Sequence, residues 1–461
     1  MTDDNFRNGS RQMPRQRGLA PKPAGEAGGG TRSDEPARAD DVPAHPLWDG
    51  LMEEVVADAN LATAMARVRQ NRGSPGVDGM TVDELPDELA RIGEVLRAAL
   101  LAGTYEPQPV RRVTIPKPDG GERELGIPTV MDRLIQQAIS QVLGPRFDPD
   151  FSPHSHGFRP GRSAHDAVRE AQQYIQDGYT WVVDVDLERF FDRVNHDVLM
   201  SRLAKKIADR RMLRIVRAFL TAGMMINGVV IDRDEGTPQG GPLSPLLANV
   251  LLDEVDQVLD ARGHRFVRYA DDCNVYVRSQ RAGERVMALM QKELTRLRLR
   301  INMAKSAVER PWNRKFLGFT FRQGGGTIRR RVAPRAVDKL KDRIRELTGR
   351  NRGASLRTVI SDVATYLRGW LGYFGICQVP TPRRNLDEWI RARLRMLQLK
   401  QWKRGTTAYP RLIAMGVRPT PAAHTAWCLP RWWHAAHSPG AHHAMPTAYF
   451  DRLGLPRLAP R

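Results

Sequence analysis

Short apolar runs typical of β-strands are interspersed with helical patterns between residues 110 and 322, in no regular order. The run WVVDVDL begins at Trp181, and the run RFVRYADDCNVYV begins at Arg265. The second run contains two alternating segments that are interrupted by Asp271 and Asp272, as expected for a hairpin. Because strands and helices interleave without a strict strand–helix–strand repeat, this pattern favours an α+β sheet domain.

The chain changes character after about residue 330. Val337, Leu340, Ile344 and Leu347 recur at helical spacing, and two similar stretches follow. Lys and Arg outnumber Asp and Glu by 23 to 6 between residues 311 and 405, whereas residues 1–310 carry a net charge of −2. The +20 net charge of the chain therefore lies in its C-terminal third and predicts a polyanionic partner there.

Composition excludes several other classes of protein. The three cysteines, Cys273, Cys377 and Cys428, form neither a disulfide framework nor a zinc-binding pair. No run of about 18 apolar residues occurs, so we expect no membrane association and a cytoplasmic location. Residues 1–46 are rich in Gly, Pro, Arg, Asp and Ala and are predicted to be disordered.

Four carboxylates point to a specific chemistry. Asp184 and Asp186 are two residues apart on a predicted strand and therefore share one face, while Asp271 and Asp272 lie at a hairpin tip. Such a set can hold two hard divalent cations, and Mg²⁺ binds few protein carboxylates together with substrate phosphates. Paired metal ions of this kind support in-line transfer at phosphorus, so the pattern indicates nucleotidyl transfer.

Five sequence blocks resemble those of a reverse transcriptase of the group II intron type, in the family's order. They are IPKPDGGERELGIP, SHGFRPGRSAHDA, DLERFFDRVNH, GTPQGGPLSPLLANVLL and YADD. Further along, YLRGWLGYF and LDEWIRARLRMLQLKQWKR resemble the maturase region called domain X. The resemblance implies a right-hand polymerase with fingers and palm at 47–322, a helical thumb and maturase domain at 323–410, and a C-terminal extension at 411–461 that the pattern does not assign.

The resemblance also implies roles for the carboxylates. Two Mg²⁺ ions, for which Mn²⁺ can substitute, would be held by Asp186, Asp271, Asp272 and the backbone carbonyl of Leu187. These three aspartates are the predicted catalytic residues. Asp184 is the rival for the first ligand, but the spacing to the following Phe-Phe-Asp favours Asp186.

Residues in other blocks are expected to bind the incoming nucleotide. Two cationic side chains in the fingers hairpin would grip the triphosphate, and an aromatic ring would exclude a ribose 2′-hydroxyl. A Gln-Gly pair would pack against the new base pair, and a lysine would neutralise the leaving pyrophosphate. The two cations are Lys117 and Arg123, and the aromatic ring is Phe191. The Gln-Gly pair is Gln239 and Gly240, and the lysine is Lys305.

A third set of residues is expected to bind RNA. Arg159 and Arg162 would either contact template phosphates or brace the fingers. The C-terminal helices would supply phosphate contacts from Arg329, Arg330, Arg331, Arg391, Arg395, Lys403 and Arg404. For the aromatics of this region we favour the core over base stacking, and the histidines after residue 430 are not interpreted as metal ligands.

The resulting prediction is an RNA-dependent DNA polymerase that also binds its own intron RNA and assists splicing and mobility. Its partners would be an RNA template, a DNA primer or target, and dNTPs, in an oligomeric state that the sequence does not predict. A stand-alone reverse transcriptase associated with defence or CRISPR functions is one alternative, and a non-catalytic RNA-binding splicing factor is another. Because no HNH endonuclease motif follows the maturase blocks, we expect no target cleavage in cis.

Overall fold

The secondary structure follows the order predicted from sequence. The computed structural model describes residues 47–116, 122–226, 229–231, 235–237 and 240–459, so the predicted disordered segment 1–46 lies outside the described residues. The described strands are β1 (Val110–Pro116), β2 (Glu122–Ile127), β3 (Trp181–Val185), β4 (Met224–Ile226), β5 (Val229–Ile231), β6 (Arg265–Tyr269), β7 (Asp272–Val277), β8 (Ala307–Glu309), β9 (Phe319–Gly324) and β10 (Thr327–Val332).

Helices fill the intervals and the whole C-terminal region. They are α1 (Leu51–Val55), α2 (Asp58–Gln70), α3 (Leu85–Ala102), α4 (Val130–Phe147), α5 (Ala164–Gln176), α6 (His196–Ala204), α7 (Arg210–Thr221), α8 (Ser244–Ala261), α9 (Gln280–Arg296), α10 (Pro334–Leu347), α11 (Leu356–Phe374), α12 (Pro380–Gln401), α13 (Gly405–Ala414), α14 (Pro419–Trp427), α15 (Trp432–Ala435), α16 (Pro439–Ala444) and α17 (Thr447–Arg452). In the part of the chain covered by the structure, no helix is both long and apolar enough to cross a membrane.

A four-stranded antiparallel sheet lies at the centre of the fold, in the order β6-β7-β3-β8. Its strands are short, and Val183 and Val275 pair in the middle of the sheet with no exposed surface. Helices α8 and α9 supply much of the apolar core against one face of this sheet. The predicted α+β fold class is therefore confirmed. The candidate site lies at the loops at one end of this sheet.

The described residues also form two smaller β units. The predicted hairpin at residues 110–130 is present, and its strands join a second sheet of order β2-β1-β4-β5, in which β1 and β4 are parallel. Strands β9 and β10 form a separate antiparallel hairpin. Phe319 and Ile328 of this hairpin pack with α5 residues in an aromatic-rich cluster, which connects the hairpin to the central sheet.

The helices after residue 333 build their own apolar core. Leu340 on α10, Val363 on α11 and Leu394 on α12 are fully buried in it. The C-terminal stretch, which the sequence pattern does not assign, is helical and packs into the same core through residues such as Phe450. A pair of hydrogen bonds from the backbone of residues 458 and 459 to Asp387 anchors its end on α12.

One predicted element differs in detail. The apolar pattern between residues 47 and 70 predicts one helix, but the structure divides it into α1 and α2 at Ala57. Ala57 has extended backbone angles, and its carbonyl accepts from the N–H groups of Asn60 and Leu61. A change of chain direction here lets both helices pack on α4, which the amphipathic pattern alone does not reveal.

Candidate active site

A tight turn carries two of the predicted catalytic acids. Tyr269 and Asp272 are the last pair of the β6–β7 ladder, so Ala270 and Asp271 form a two-residue turn. Ala270 has a φ of 58°, a left-handed conformation that costs a residue with a Cβ about 1–2 kcal/mol. The turn therefore requires support from the rest of the fold.

That support comes from a buried polar network. The guanidinium of Arg268 donates to both carboxylate oxygens of Asp256, at 2.6 Å from Nη2 to Oδ2 and 2.9 Å from Nε to Oδ1. Its Nη1 donates to the carbonyl of Ala270 at 3.0 Å and to Asn249 Oδ1 at 2.9 Å. Asn249 in turn donates to the carbonyl of Gly157 at 2.9 Å. The network links α8, the strand before the turn, and the loop that precedes α5.

Gly157 touches the turn directly. A Cβ at this position would lie 2.2 Å from the amide nitrogen of Ala270 and 2.9 Å from the carbonyl carbon of Tyr269, both backbone atoms. Only a residue without a side chain fits there. Neither Gly157 nor the network is among the residues predicted from sequence. The sequence signal that could have revealed the network is the presence of Arg268 inside an otherwise apolar strand.

The two aspartates of β3 have different partners. Arg314 binds the carboxylate of Asp184, at 2.7 Å from Nε and 2.6 Å from Nη2 to Oδ2. Asp186 follows the end of β3, and its backbone N–H donates to Ser306 Oγ at 3.0 Å. Its carboxylate lies 4.0 Å from Lys305 Nζ and is 40% exposed. The structure thus leaves Asp186 accessible, whereas Asp184 is bound to a neighbouring cation.

Asp184, Asp186, Asp272 and Lys305 line one cleft of about 830 Å³. Burial raises the pKa of Asp272 to about 7, and the negative charges of Asp184, Asp271 and Asp186 add to this effect. Burial also raises the pKa of Asp184, although Arg314 opposes the shift. Mutual repulsion of this kind shows that the four carboxylates are close together.

Asp271 has a different environment. It is exposed and borders a second, small pocket that Leu187, Cys273 and Arg268 also line. Within the described ranges, no three His, Cys, Asp or Glu side chains are already arranged as a metal-binding group. The predicted ligands are therefore neighbours in space, but they do not form a preassembled cage.

The donor set nevertheless fits a divalent metal ion. Its side-chain donors are carboxylate oxygens, which hard cations such as Mg²⁺ prefer. Burial is the main cause of the raised pKa of Asp272, and the negative charges of its carboxylate neighbours repel its ionised form in addition. A bound cation would relieve that repulsion, and the open cleft leaves space for phosphate oxygens to complete the coordination.

The predicted nucleotide-binding residues are only partly described. Lys117 and Gln239 lie outside the described residues, and Arg123 is placed by its backbone, which pairs with Ile115 in the β1–β2 hairpin. Phe191 is half-buried beside Phe190, with ring centroids 5.1 Å apart. At Gly240, which has a φ of 134°, a Cβ would lie 2.9 Å from the carbonyl oxygen of Gly126. The Gly240 backbone therefore passes close to the β2 end of the hairpin sheet.

Four of the predicted RNA-binding arginines are engaged by the protein. Arg159 is 8% exposed and donates to Asp148 at 2.7 Å and to backbone carbonyls, so it braces the fold. Arg395 is 5% exposed and donates to the carbonyl of Met445 at 3.0 Å, and burial lowers its pKa to about 10. Arg391 and Arg330 also contact protein groups, namely Asp387 and the carbonyl of Ile376. For Arg395 we correct the prediction, because helical spacing does not show which cations turn inward. For Arg159 the structure favours the bracing role over the template contact.

Four other members of that set stay available, because Arg329 and Arg331 are exposed on β10 and Lys403 and Arg404 are exposed after α12. Arg162 is half-buried and donates to the carbonyl of Pro153. His154 and His156 both bind the carboxylate of Glu170, so these two histidines have a structural role. Trp370 and Trp402 are buried, as predicted.

Two protein families match the chain in adjacent segments. Residues 115–321 match the reverse transcriptase (RNA-dependent DNA polymerase) family, and residues 337–412 match the group II intron maturase-specific domain. In this order, the two matches are consistent with a group II intron reverse transcriptase and maturase. The first match contains every acid of the cleft, and the second covers most of α10, all of α11 and α12, and most of α13. Neither predicted alternative function is favoured by these matches.

Individual relatives support the same assignment. The chain is 41% identical over 208 residues to Protein YkfC of Escherichia coli, covering 44% of this chain and 55% of that protein. It is 39% identical over 197 residues to the group II intron-encoded protein LtrA of Lactococcus lactis, covering 42% of this chain and 32% of that protein. The matches thus span about half or less of these curated relatives.

Solved structures add a distant likeness. A partial Cas6-RT-Cas1–Cas2 complex is 26% identical, with a TM-score of 0.35, over 53% of this chain and 42% of that one. Reverse transcriptases use divalent metal ions, in agreement with the carboxylate chemistry of the cleft.

Proposed function

We propose that this chain is an RNA-directed DNA polymerase that also binds a group II intron RNA and assists its splicing and mobility. The observation that carries the proposal is the convergence of Asp186, Asp272 and Lys305 on one open cleft, at the end of a sheet whose turn carries Asp271. The proposed substrates are an RNA template, a DNA primer or target, and dNTPs. The similarity to the group II intron-encoded protein LtrA supports the intron connection.

The proposed metal is Mg²⁺, with two ions and with Mn²⁺ as a substitute. Asp186, Asp271, Asp272 and the carbonyl of Leu187 would hold it. When bound, such ions lower the pKa of an attacking hydroxyl and neutralise charge on phosphate oxygens. The metal identity rests on the all-oxygen donor set.

The protein's own groups have distinct tasks in this reaction. Lys305, whose Nζ lies 4.0 Å from the Asp186 carboxylate, would neutralise charge on the leaving pyrophosphate. The Phe191 ring would press against the sugar and exclude a 2′-hydroxyl. Lys117 and Arg123 would bind the triphosphate, and Gly240, whose backbone conformation suits glycine, would allow the nascent base pair to approach.

Primer extension tests the polymerase proposal. A variant with Asp271→Ala and Asp272→Ala should lose DNA synthesis on an RNA template while RNA binding and thermal stability are retained. Asp83→Ala, at an exposed position before α3, is the matched control and should extend primers like the unmodified chain. Extension by the double variant at the unmodified rate would refute the assignment of these acids.

A further inference from the structure

A short turn carries Lys305, the predicted leaving-group cation, into the active-site cleft. It consists of residues 302–306, directly before β8, and we call it the lysine turn. The carbonyl of Asn302 accepts from the N–H groups of Lys305 and Ser306, at 3.0 Å and 2.9 Å. Residues 303–305 between these ends are exposed. The position of the Lys305 side chain therefore depends on how the two ends of the turn are anchored.

The strand register sets this turn against Asp186. Strands β3 and β8 are antiparallel, and the last pair of their ladder is Asp184 with Ala307. Extended by two residues, the same register sets Lys305 opposite Asp186, where side chains lie within reach of each other. The Nζ of Lys305 is 4.0 Å from Oδ2 of Asp186, and both residues line the cleft. Because the ladder has already ended here, other contacts must hold this pair together.

The hydroxyl of Ser306 supplies the main contact. Its Oγ accepts from the N–H of Asp186 at 3.0 Å and donates to the carbonyl oxygen of Asp186 at 3.3 Å. The N–H of Asn302 donates to the same carbonyl at 2.8 Å. One side chain thus bonds both backbone groups of a residue that lies beyond the end of β3, and that side chain belongs to the neighbour of Lys305.

The lysine turn, rather than Asp186, is the part that would move without this hydroxyl. Asp186 directly follows β3, which pairs with β7 on one side and with β8 on the other. The turn would keep the bond from Asn302 and a bond from Arg314, which donates to the carbonyl of Lys305. These contacts keep the turn folded, so loss of the hydroxyl should shift the Lys305 ammonium group without unfolding the loop.

We propose that Ser306 is a positioning residue that holds the ammonium group of Lys305 at a fixed distance from the Asp186 carboxylate. The inference rests on the proposed function, because it gives Ser306 a role in the same reaction. A cation stabilises a leaving group only if it is already in place when charge develops. Misplacement by about 1 Å can cost about 100-fold in rate. Since this charge develops in the transition state, the effect falls on kcat rather than on nucleotide binding.

Three substitutions in the full chain test this role. Ser306→Ala removes the hydroxyl, whereas Ser306→Thr retains it. Ser201→Ala is the matched control, because the Ser201 hydroxyl donates within its own helix, to the carbonyl of Val198 at 3.0 Å. Thermal unfolding shows that each variant is folded. Extension of a DNA primer by one nucleotide on an RNA template then gives kcat and the KM for the dNTP.

Removal of the hydroxyl should slow the reaction without weakening nucleotide binding. We expect Ser306→Ala to lower kcat by about 10- to 100-fold, with a KM within about twofold of the value for the unmodified chain. Ser306→Thr should recover most of kcat, and Ser201→Ala should match the unmodified chain. An unchanged kcat in Ser306→Ala, or a loss that Ser306→Thr shares in full, would overturn the proposal.

A double-mutant cycle with Lys305→Ala shows whether the serine acts through the lysine. Residues that act as a unit have effects that do not add. In the Lys305→Ala background, Ser306→Ala should cost no more than about twofold in kcat, because no ammonium group remains to be positioned. An equal loss in both backgrounds would show that Ser306 acts independently of Lys305, and it would refute the proposed role.

Hydrogen exchange tests the anchor without substrate or metal. In Ser306→Ala the amide of Asp186 loses its acceptor, so peptides that cover 184–188 and 302–306 should exchange faster, whereas β7 should exchange as before. Unchanged exchange, in a chain that does extend primers, would refute the anchor alone. Absence of extension by the unmodified chain would instead refute the proposed function.

Discussion

Arg268 and Asp256 form a fully buried, bidentate ion pair whose arginine also donates to the carbonyl of Ala270. Ala270 has a left-handed backbone and precedes Asp271, so this pair holds the strained turn that carries the catalytic acids. The protein thus uses a buried charge pair to fix the position of the acids at this turn.

Breaking the buried pair should be costly. Asp256→Asn leaves the Arg268 guanidinium without its counter-charge, which should lower the free energy of unfolding by about 3–5 kcal/mol. Asp253→Asn is the control on the same helix, because the Asp253 carboxylate accepts from the Ser152 N–H and the Gln257 side chain rather than from an arginine. Urea unfolding measures the free energy of unfolding of both variants. Replacing both partners with Asp256→Leu and Arg268→Met should restore stability but not primer extension, since the hydrogen bond to Ala270 is still missing. Full recovery of extension would contradict a positioning role.

A single methyl group at Gly157 should displace the catalytic turn. Gly157→Ala places a Cβ against backbone atoms of Tyr269 and Ala270, and overpacking of this kind costs about 1–3 kcal/mol. Primer extension should fall more than RNA binding does. Gly369→Ala on α11, where a Cβ meets nothing within 4 Å, should leave both unchanged. An active Gly157→Ala protein would show that the turn tolerates displacement.

Loss of Asp186 should affect primer extension, whereas loss of Asp184 should affect stability. Asp186→Asn should abolish primer extension with little change in stability, because its carboxylate is exposed and lies in a group of like charges. Asp184→Asn weakens an ion pair, so the free energy of unfolding should fall by about 1–3 kcal/mol. Arg314→Met should reproduce the stability loss of Asp184→Asn. Equal stability of Asp184→Asn and the unmodified chain would argue against this division.

The two adjacent phenylalanines should separate sugar selection from folding. Phe191→Val should raise the relative kcat/KM for ribonucleotides, because a smaller side chain leaves room for a 2′-hydroxyl. Phe190→Ala removes a ring that is 3% exposed and should instead cost about 3–5 kcal/mol of stability without changing sugar selection. Competition between dNTPs and rNTPs in primer extension measures the first effect. Unaltered selectivity in Phe191→Val would remove this residue from the nucleotide site.

Stability should decline in acid because of Glu170. Burial alone would raise the pKa of Glu170, but hydrogen bonds from His154, His156 and Tyr174 outweigh it and lower the pKa to about 2. The contribution, on the order of 3 kcal/mol, is therefore present above pH 4.5 and is lost as pH falls toward 2. Urea unfolding across that interval should show a shallower pH dependence in Glu170→Gln. Glu94→Gln, at an exposed position on α3, is the control.

His154 sets the upper pH limit of the stabilisation by this network. Its hydrogen bond to Glu170 raises its pKa above the ordinary 6.5, so its contribution is complete below pH 6.5 and is lost as pH rises through the folded-state pKa. The network should therefore stabilise the fold most between about pH 4.5 and 6.5. An equal pH profile in Glu170→Gln and the unmodified protein would contradict both statements.

Much of the local structure was accessible from sequence because it depends on near neighbours. The β6–β7 hairpin, the fingers-type hairpin at 110–127 and helices α10 to α12 all follow from residue periodicity and turn composition. The division of α1 from α2 and the helical nature of the last 50 residues could not be predicted from these patterns. Both depend on contacts with α4 or α12 that lie far away in the chain.

The sequence by itself determined the residue types of the candidate site, the hairpin that carries Asp271 and Asp272, the uneven charge along the chain and the family resemblance. Tertiary structure alone decided which charges are committed to the fold. It pairs Asp184 with Arg314, buries Arg395 and places Gly157 against the turn. The physical reason is that a periodic pattern reports the face of an element, whereas the partner of a charge depends on which distant element packs against that face.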